Sequence, residues 1–320
     1  MESVKEVIGA ELEIFEKKFA EAVKSNTPLL DRIMKYIIKR KGKQLRPMFV
    51  FLSAKLGGEI NESTYRAAAL VELLHTATLV HDDVVDESME RRGFFSINAL
   101  WKNKIAVLVG DYLLSKGLLL STSHNDFHHL HILSDAVKMM SEGELLQMEK
   151  SRKLNLDENV YFEIIRSKTA SLLSSACAVG AFSTSQDESI TGKMKAFGEK
   201  VGIAFQIKDD LFDYGKEDVG KPTGNDIKEK KLTLPLIYTL RNTDSKTRRE
   251  IIYTLKNRNR DAASVAAVIR EVEKAGGIQY SREAMYRYRD EALEILNSFP
   301  ESKVRSAMED LVRFTTDRKF

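Results

Sequence analysis

Two acidic clusters in this chain share one pattern, Asp82-Asp83-Val84-Val85-Asp86 and Asp209-Asp210-Leu211-Phe212-Asp213, each D-D-x-x-D. Each closes an apolar segment with helical spacing. On a helix, residues three and four apart share a face, so Asp86 neighbours both Asp82 and Asp83. Like charges at that spacing repel, and Asp is a poor helix former. Two such clusters call for a compensating cation. Mg²⁺ prefers carboxylate oxygens and usually bridges one or two of them to substrate phosphates. A single cluster would read equally well as a solvated helix end. The repeat, together with its basic companions, favours the metal.

Those companions follow or precede the acids. After the first cluster the chain reads Glu87-Ser88-Met89-Glu90-Arg91-Arg92-Gly93, and after the second Gly220-Lys221-Pro222 leads to Lys228, Lys230 and Lys231. Upstream lies Gly42-Lys43-Gln44-Leu45-Arg46-Pro47, and mid-chain Lys168-Thr169. Lysine and arginine take phosphate oxygens, arginine through a two-pronged fork. Taken one at a time, these pairs read as solvated surface. Combined with the acids they suit a diphosphate bridged by metal ions, with a second anionic group nearby.

The elements that position these residues are helical. Prolines occur only at 28, 47, 222, 235 and 300, and apolar residues recur at spacings of three and four, as in Leu70, Leu73, Leu74, Ala77. Helices are predicted at 3–24, 29–41, 45–57, 61–86, 105–121, 126–150, 157–181, 187–214, 232–241, 245–257, 260–275, 277–296 and 302–315. Asn61, Asn125 or Asp126, and Asp157 are expected caps. The longest irregular stretches are 87–104 and 215–231. The expected fold is all-α, a single large helical bundle and a single domain over 1–320. The acid clusters would lie at one end of it, before a central apolar cavity.

Of the 320 residues, 43% are apolar and 30% charged, and the net charge is +3, spread along the chain, which gives no nucleic-acid footprint. The lone Cys177 excludes an internal disulfide and a multi-cysteine zinc site. It reads as a buried structural thiol suited to a reducing compartment. The N-terminus shows no apolar signal core. The most apolar stretch, Ile105 to Leu120, is interrupted by Asp111 and Lys116 and does not read as a membrane span. A cytoplasmic location is expected.

With these motifs in order, the chain resembles the trans-isoprenyl diphosphate synthases, the polyprenyl synthetase family, from Gly42 to Pro235. The resemblance rests on Gly-Lys-Gln-Leu-Arg-Pro and on His81-Asp82-Asp83-Val84-Val85-Asp86 with Arg91-Arg92-Gly93. Lys168-Thr169-Ala170, Phe205 to Asp213 and Gly220-Lys221-Pro222 complete it. It implies that Asp82, Asp86 and Asp209 ligate Mg²⁺ ions on an allylic diphosphate, such as farnesyl or geranyl diphosphate. Asp83, Asp210 and Asp213 would support them. It implies that Arg91, Lys168, Gln206 and Lys221 contact that diphosphate, and that Lys43, Arg46, His75 and Arg92 hold isopentenyl diphosphate. Lys231 would help to close a loop over the site, and Thr169 and Gln206 would stand near the developing cation. A homodimer is implied, and release of an apolar product implies transient contact with a membrane surface.

Within the family, a bulky aromatic at the position of Ala77 blocks the growing tail. Here Ala77 and Thr78 are small, which implies a long product of about seven to ten units if each helical turn of about 5.4 Å admits one more isoprene. The alternatives are a short-chain synthase, the catalytic subunit of a hetero-oligomer, a terpene cyclase and a non-catalytic partner. Gly215 to Lys221 fits G-x-x-x-x-G-K, but Pro222 stands where a P-loop needs Ser or Thr. Glu72 and His75 form a single E-x-x-H where a di-iron bundle needs two. His124, His128, His129 and His131 read as an exposed turn.

Overall fold

The computed structural model of the chain describes residues 1–39, 42–91, 93–153, 157–215 and 224–317. Among them the chain forms sixteen α-helices and one two-stranded hairpin. The helices are α1 (Glu2–Ala22), α2 (Pro28–Lys39), α3 (Leu45–Gly57), α4 (Glu62–Val85), α5 (Ile97–Trp101), α6 (Asn103–Thr122), α7 (Phe127–Lys153), α8 (Glu158–Ile165), α9 (Ser171–Ser185), α10 (Glu188–Phe212), α11 (Asn225–Lys228), α12 (Leu234–Asn242), α13 (Ser245–Tyr253), α14 (Ala262–Lys274), α15 (Gly277–Asn297) and α16 (Lys303–Asp317). The architecture is all-α, and most boundaries fall within a few residues of those the periodicity predicts.

The chain divides into two compact units. The first comprises Met1–Val137, Ser175–Lys195 and Phe299–Met308; the second comprises Lys138–Ser174, Ala196–Ser298 and Glu309–Phe320.

In the first unit α4 is the central element. Asn61 starts it: its side chain accepts the Thr64 N–H, while its own N–H reaches Thr64 Oγ1. This reciprocal capping satisfies two donors that a helix start leaves open. Leu70, Leu73, Ala77 and Val80 then recur at helical spacing and are buried. Leu73, Ala77 and Val80 join Ile33 and Met34 of α2 and Ala106, Val109 and Leu113 of α6 in one apolar cluster. Two glycines of α6 allow close approach to α4. A Cβ on Gly110 would lie 2.1 Å from His81 Nε2, and one on Gly117 would lie 2.9 Å from Leu70 Cδ1.

In the second unit Tyr161, Ile165, Ala204, Ile207, Leu236 and Val268 belong to a separate core drawn from α8, α10, α12 and α14. The single helix expected over 157–181 is interrupted there. Arg166–Ala170 forms one π-helical turn between α8 and α9. Close helix neighbours brace it: a Cβ on Gly143 would meet Ser167 Cβ at 2.8 Å, and one on Gly202 would meet Ala170 Cα at 2.5 Å. Single π turns inside helices recur at functional sites.

The stretch 87–104, expected to be irregular, carries structure. Glu90–Arg91 pairs antiparallel with Phe94–Phe95, and Ser96 caps α5 by accepting the Ala99 N–H. The histidine turn also differs from its expectation. His129 is 3% exposed, and His128 stacks on Phe182 with ring centroids 3.6 Å apart. Only His124 and His131 face solvent. Burial pushes the His129 imidazole down to about 4, against the opposing pull of Asp126. The turn is amphipathic in space, which four closely spaced polar letters cannot reveal.

α6 is the one helix among the described residues whose length and composition would allow it to cross a membrane. Its buried residues, Ala106, Val109, Gly110, Leu113 and Gly117, pack within the first unit. Its opposite face exposes Val107, Leu108, Leu118 and Leu119.

Candidate active site

The first acid cluster occupies the last turn of α4, with Asp86 as its C-cap. The helix divides its three acids by burial. Asp83 is buried, Asp82 half-buried and Asp86 exposed. Arg91, on the hairpin, donates from Nε to Asp83 Oδ1 at 2.7 Å. Burial raises the Asp83 carboxyl above the ordinary carboxylate range, and the Arg91 guanidinium opposes that rise. The backbone around it is tied as well. The Asp83 carbonyl accepts the Ser88 N–H at 2.9 Å and the Asn98 amide at 3.2 Å. The role of Arg91 next to the acids is therefore first structural: it holds the hairpin against the end of α4.

In the same unit the upstream basic motif meets α4. Gln44 sits in the left-handed region, with φ 53°, at the start of α3. In the first turn of α3, Arg46 Nη1 lies 2.9 Å from His75 Nε2. Two residues 29 apart in sequence, both expected in one anion-binding role, are thus brought together. Lys43, three residues before Arg46 in the chain, is exposed. Ala77 is fully buried in the apolar cluster, while Thr78 is half-buried with its hydroxyl on the His75 carbonyl at 2.9 Å.

The second cluster closes α10 in the second unit. Here too burial separates the acids: Asp209 exposed, Asp210 buried, Asp213 half-buried. Asp210 accepts from the Tyr161 hydroxyl at 2.6 Å and from Gln206 Nε2 at 2.8 Å. Gln206 Oε1 in turn accepts the Thr169 hydroxyl at 2.7 Å. Thr169 and Gln206 therefore belong to one hydrogen-bonded chain that ends on a buried acid. Burial drives the Asp210 carboxyl up despite those two donors. Asp213 has both oxygens occupied, by the Asn225 N–H at 2.8 Å and the Asp226 N–H at 3.0 Å. It also accepts the Gly224 N–H through its own carbonyl at 3.0 Å. Asp213 thus anchors the segment that starts α11. Asp226 is itself raised by burial first and by the neighbouring Asp210 and Asp213 next, with Lys231 opposing. Lys168 is ion-paired with Glu144, and Lys231 with Glu229.

Two predicted residues, Arg92 and Lys221, lie outside the described residues. Tyr161, Glu144, Asn98 and Asp226 carry site contacts that sequence reasoning did not assign. Tyr161 and Asp210 are 49 residues apart, and nothing local marks Tyr161 in an apolar helix. Asp226 had a signal, an acid inside a run of lysines.

Among the described residues no three His, Cys, Asp or Glu side chains gather closely enough to hold an ion by themselves. The donors nonetheless fit Mg²⁺, an ion that takes one or two carboxylates and completes its shell with phosphate oxygens and water. Exposed Asp86 and Asp209 and half-buried Asp82 offer oxygen ligands alone, each beside a neighbour already committed to an internal partner.

Residues 27–272 match the family described as polyprenyl synthetase. A protein named heptaprenyl diphosphate synthase component 2, from Bacillus subtilis (strain 168), is 34% identical over 318 residues, covering 98% of this chain and 89% of its own. A decaprenyl diphosphate synthase from Rhodobacter capsulatus has a solved structure similar to this one. Its TM-score is 0.93 at 33% identity, over 98% of both chains. A polyprenyl synthase from Caulobacter crescentus CB15, solved with calcium and isoprenyl diphosphate, gives 0.92 at 32% identity, over 99% of this chain and 97% of its own.

Proposed function

This chain belongs to the polyprenyl synthetase family, and on that premise we propose that it is a long-chain trans-polyprenyl diphosphate synthase. It condenses isopentenyl diphosphate onto an allylic diphosphate, and the names of its relatives support a product of about seven to ten isoprene units. The observation that carries this reading is the pair of D-D-x-x-D clusters closing α4 and α10. In each, at least one acid is tied inward and at least one is presented outward.

Asp82, Asp86 and Asp209 hold Mg²⁺ in this reading. Bound there, the ions supply charge neutralisation for the leaving diphosphate. The protein's own cations add to it. Lys168 and Arg91 face the allylic diphosphate as its C–O bond breaks, stabilising charge that develops in the transition state. Arg46, His75 and Lys43 hold the diphosphate of isopentenyl diphosphate, so that its double bond meets the allylic cation. Thr169 and Gln206 present oxygen dipoles to that cation from a fixed hydrogen-bonded chain. The new C–C bond forms, and the adjacent C–H proton leaves to the released diphosphate. Arg92 and Lys221 complete the two diphosphate sites by the resemblance that names them.

Homodimerisation through α6 is the accompanying proposal. Leu108 and Leu119 are exposed at 67% and 60% on one face, and burying such a face is the usual way an exposed apolar row is resolved. The bundle acts as a single domain in this reading, in the cytoplasm, with transient membrane contact at product release.

The test is a product assay: purified protein, Mg²⁺, labelled isopentenyl diphosphate and farnesyl diphosphate, with the extracted chains sized. Chains of about seven units or more are expected, one unit per helical turn of cavity. Chains ending near three or four units would refute the long-chain assignment. No extension at all would mean that a second polypeptide is required, an outcome to which the word "component" in the Bacillus relative's name gives weight.

A further inference from the structure

Lys168 stands on a π turn whose backbone is held from three directions. Gly143 lets α7 approach so closely that an added Cβ would lie 3.1 Å from the Lys168 nitrogen. Gly202 admits Ala170 on another side, and the Thr169 hydroxyl is fixed to Gln206 at 2.7 Å. The Ser171 hydroxyl closes the turn on the Ser167 carbonyl at 2.6 Å. The part of Lys168 left to move is its side chain, a flexible four-carbon stem with a point charge at its end. That charge is taken by Glu144, the residue next to Gly143, and both side chains are half-buried. The glycine that seats the turn and the acid that takes its ammonium are thus adjacent on one helix.

We propose that Glu144 is a positioning residue that trades Lys168 with the substrate: it holds the ammonium before the diphosphate arrives and reclaims it from the inorganic diphosphate product. The inference rests on the reading that Lys168 contacts the allylic diphosphate. A diphosphate carries more negative charge than one carboxylate and takes the lysine when bound. Taking it breaks the Glu144 pair, and an ion pair in a partly desolvated site costs more to break than one in water. Glu144 thereby weakens ground-state and product binding together, which favours turnover when release is slow.

Inhibition by inorganic diphosphate reads this out. The isosteric Glu144→Gln variant removes the charge and should bind inorganic diphosphate about fivefold more tightly, the equivalent of about 1 kcal/mol. KM for the allylic substrate should fall alongside kcat, a split that a merely structural role would not produce. Glu144→Asp keeps the charge and should return the inhibition constant toward the wild-type value. In a Lys168→Met background the Glu144→Gln change should have no effect on that constant, since the lysine through which it acts is gone. An unchanged or weaker inhibition constant for Glu144→Gln overturns the proposal, as does an equal effect with and without Lys168. If Glu144→Gln fails to fold, Glu144→Ala is measured in its place against the same two outcomes. A wild-type protein that neither extends the allylic substrate nor binds inorganic diphosphate would instead remove the catalytic reading itself.

Discussion

Asp83 and Arg91 show how a single ion pair can tie an active-site cluster to the hairpin that follows it. Asp83 is 4% exposed and its partner is the one cation that opposes the rise burial imposes on it. Removing one member of such a pair leaves an uncompensated buried charge, which costs more than losing both. Arg91→Met should destabilise the protein by about 2 kcal/mol, and Asp83→Asn added to it should recover most of that loss. Urea melts of the wild type, the single variant and the double variant check the pattern, and equal stability of single and double variants would contradict it. His129 gives a pH dependence. Its imidazole ionises at about 4 in the fold against 6.5 in the open chain, with burial as the main cause. The unfolded chain therefore binds the proton first as pH falls. The stability His129 confers is complete above pH 6.5 and drains away between 6.5 and about 4, where the curve flattens again. His129→Phe should remove this part of the slope, as thermal melts across that range would record.

Between elements, contacts depend on where side chains are missing. Gly180 of α9 lies so close to α3 that a Cβ would stand 2.3 Å from the Val50 carbonyl oxygen, a backbone atom that cannot swing aside. Gly180→Ala should cost about 2 kcal/mol, as urea melts would record. Gly143→Ala should act on turnover instead: a methyl against Ser167 and Lys168 displaces the π turn, lowering kcat by about tenfold, or 1.4 kcal/mol, with a small change in melting temperature. The sequence spells out α4 and α10 well: in both a long apolar period and a terminal acid cluster agree, and in α4 the Asn61 cap agrees as well. It also placed Arg46 near His75 and Thr169 near Gln206 in role. It does not spell out the π turn, since Arg166 to Ala170 reads as ordinary helix and its cause lies in glycines 25 and 34 residues from Lys168 in chain order, on α7 and α10. Nor does it distinguish the acids within each cluster. Which aspartate is tied inward depends on Tyr161, Arg91 and the Asn225 backbone, partners supplied by other elements.

For the whole molecule, the exposed row on α6 makes assembly and activity separable experiments. Leu108→Glu should leave the helix itself intact and shift the protein toward monomer in sedimentation, since the residue is 67% exposed and makes no core contact to lose. The chain-length proposal belongs to this scale too. Ala77 is sealed among Leu73, Val80 and the α6 residues, so Ala77→Tyr must either find the tail's path or overpack the cluster. A shorter product with an unchanged melting temperature supports the former, and an unchanged product sinks the assignment. Cys177 completes the picture from the interior. It is fully buried, and burial pushes its thiol up to about 12. A thiolate is what alkylating reagents attack, so the native protein should be inert to them and the unfolded chain reactive. The enzyme therefore carries its own clock: the rate at which iodoacetamide labels this lone thiol reports how often the first unit opens, in native buffer and with no engineered cysteine.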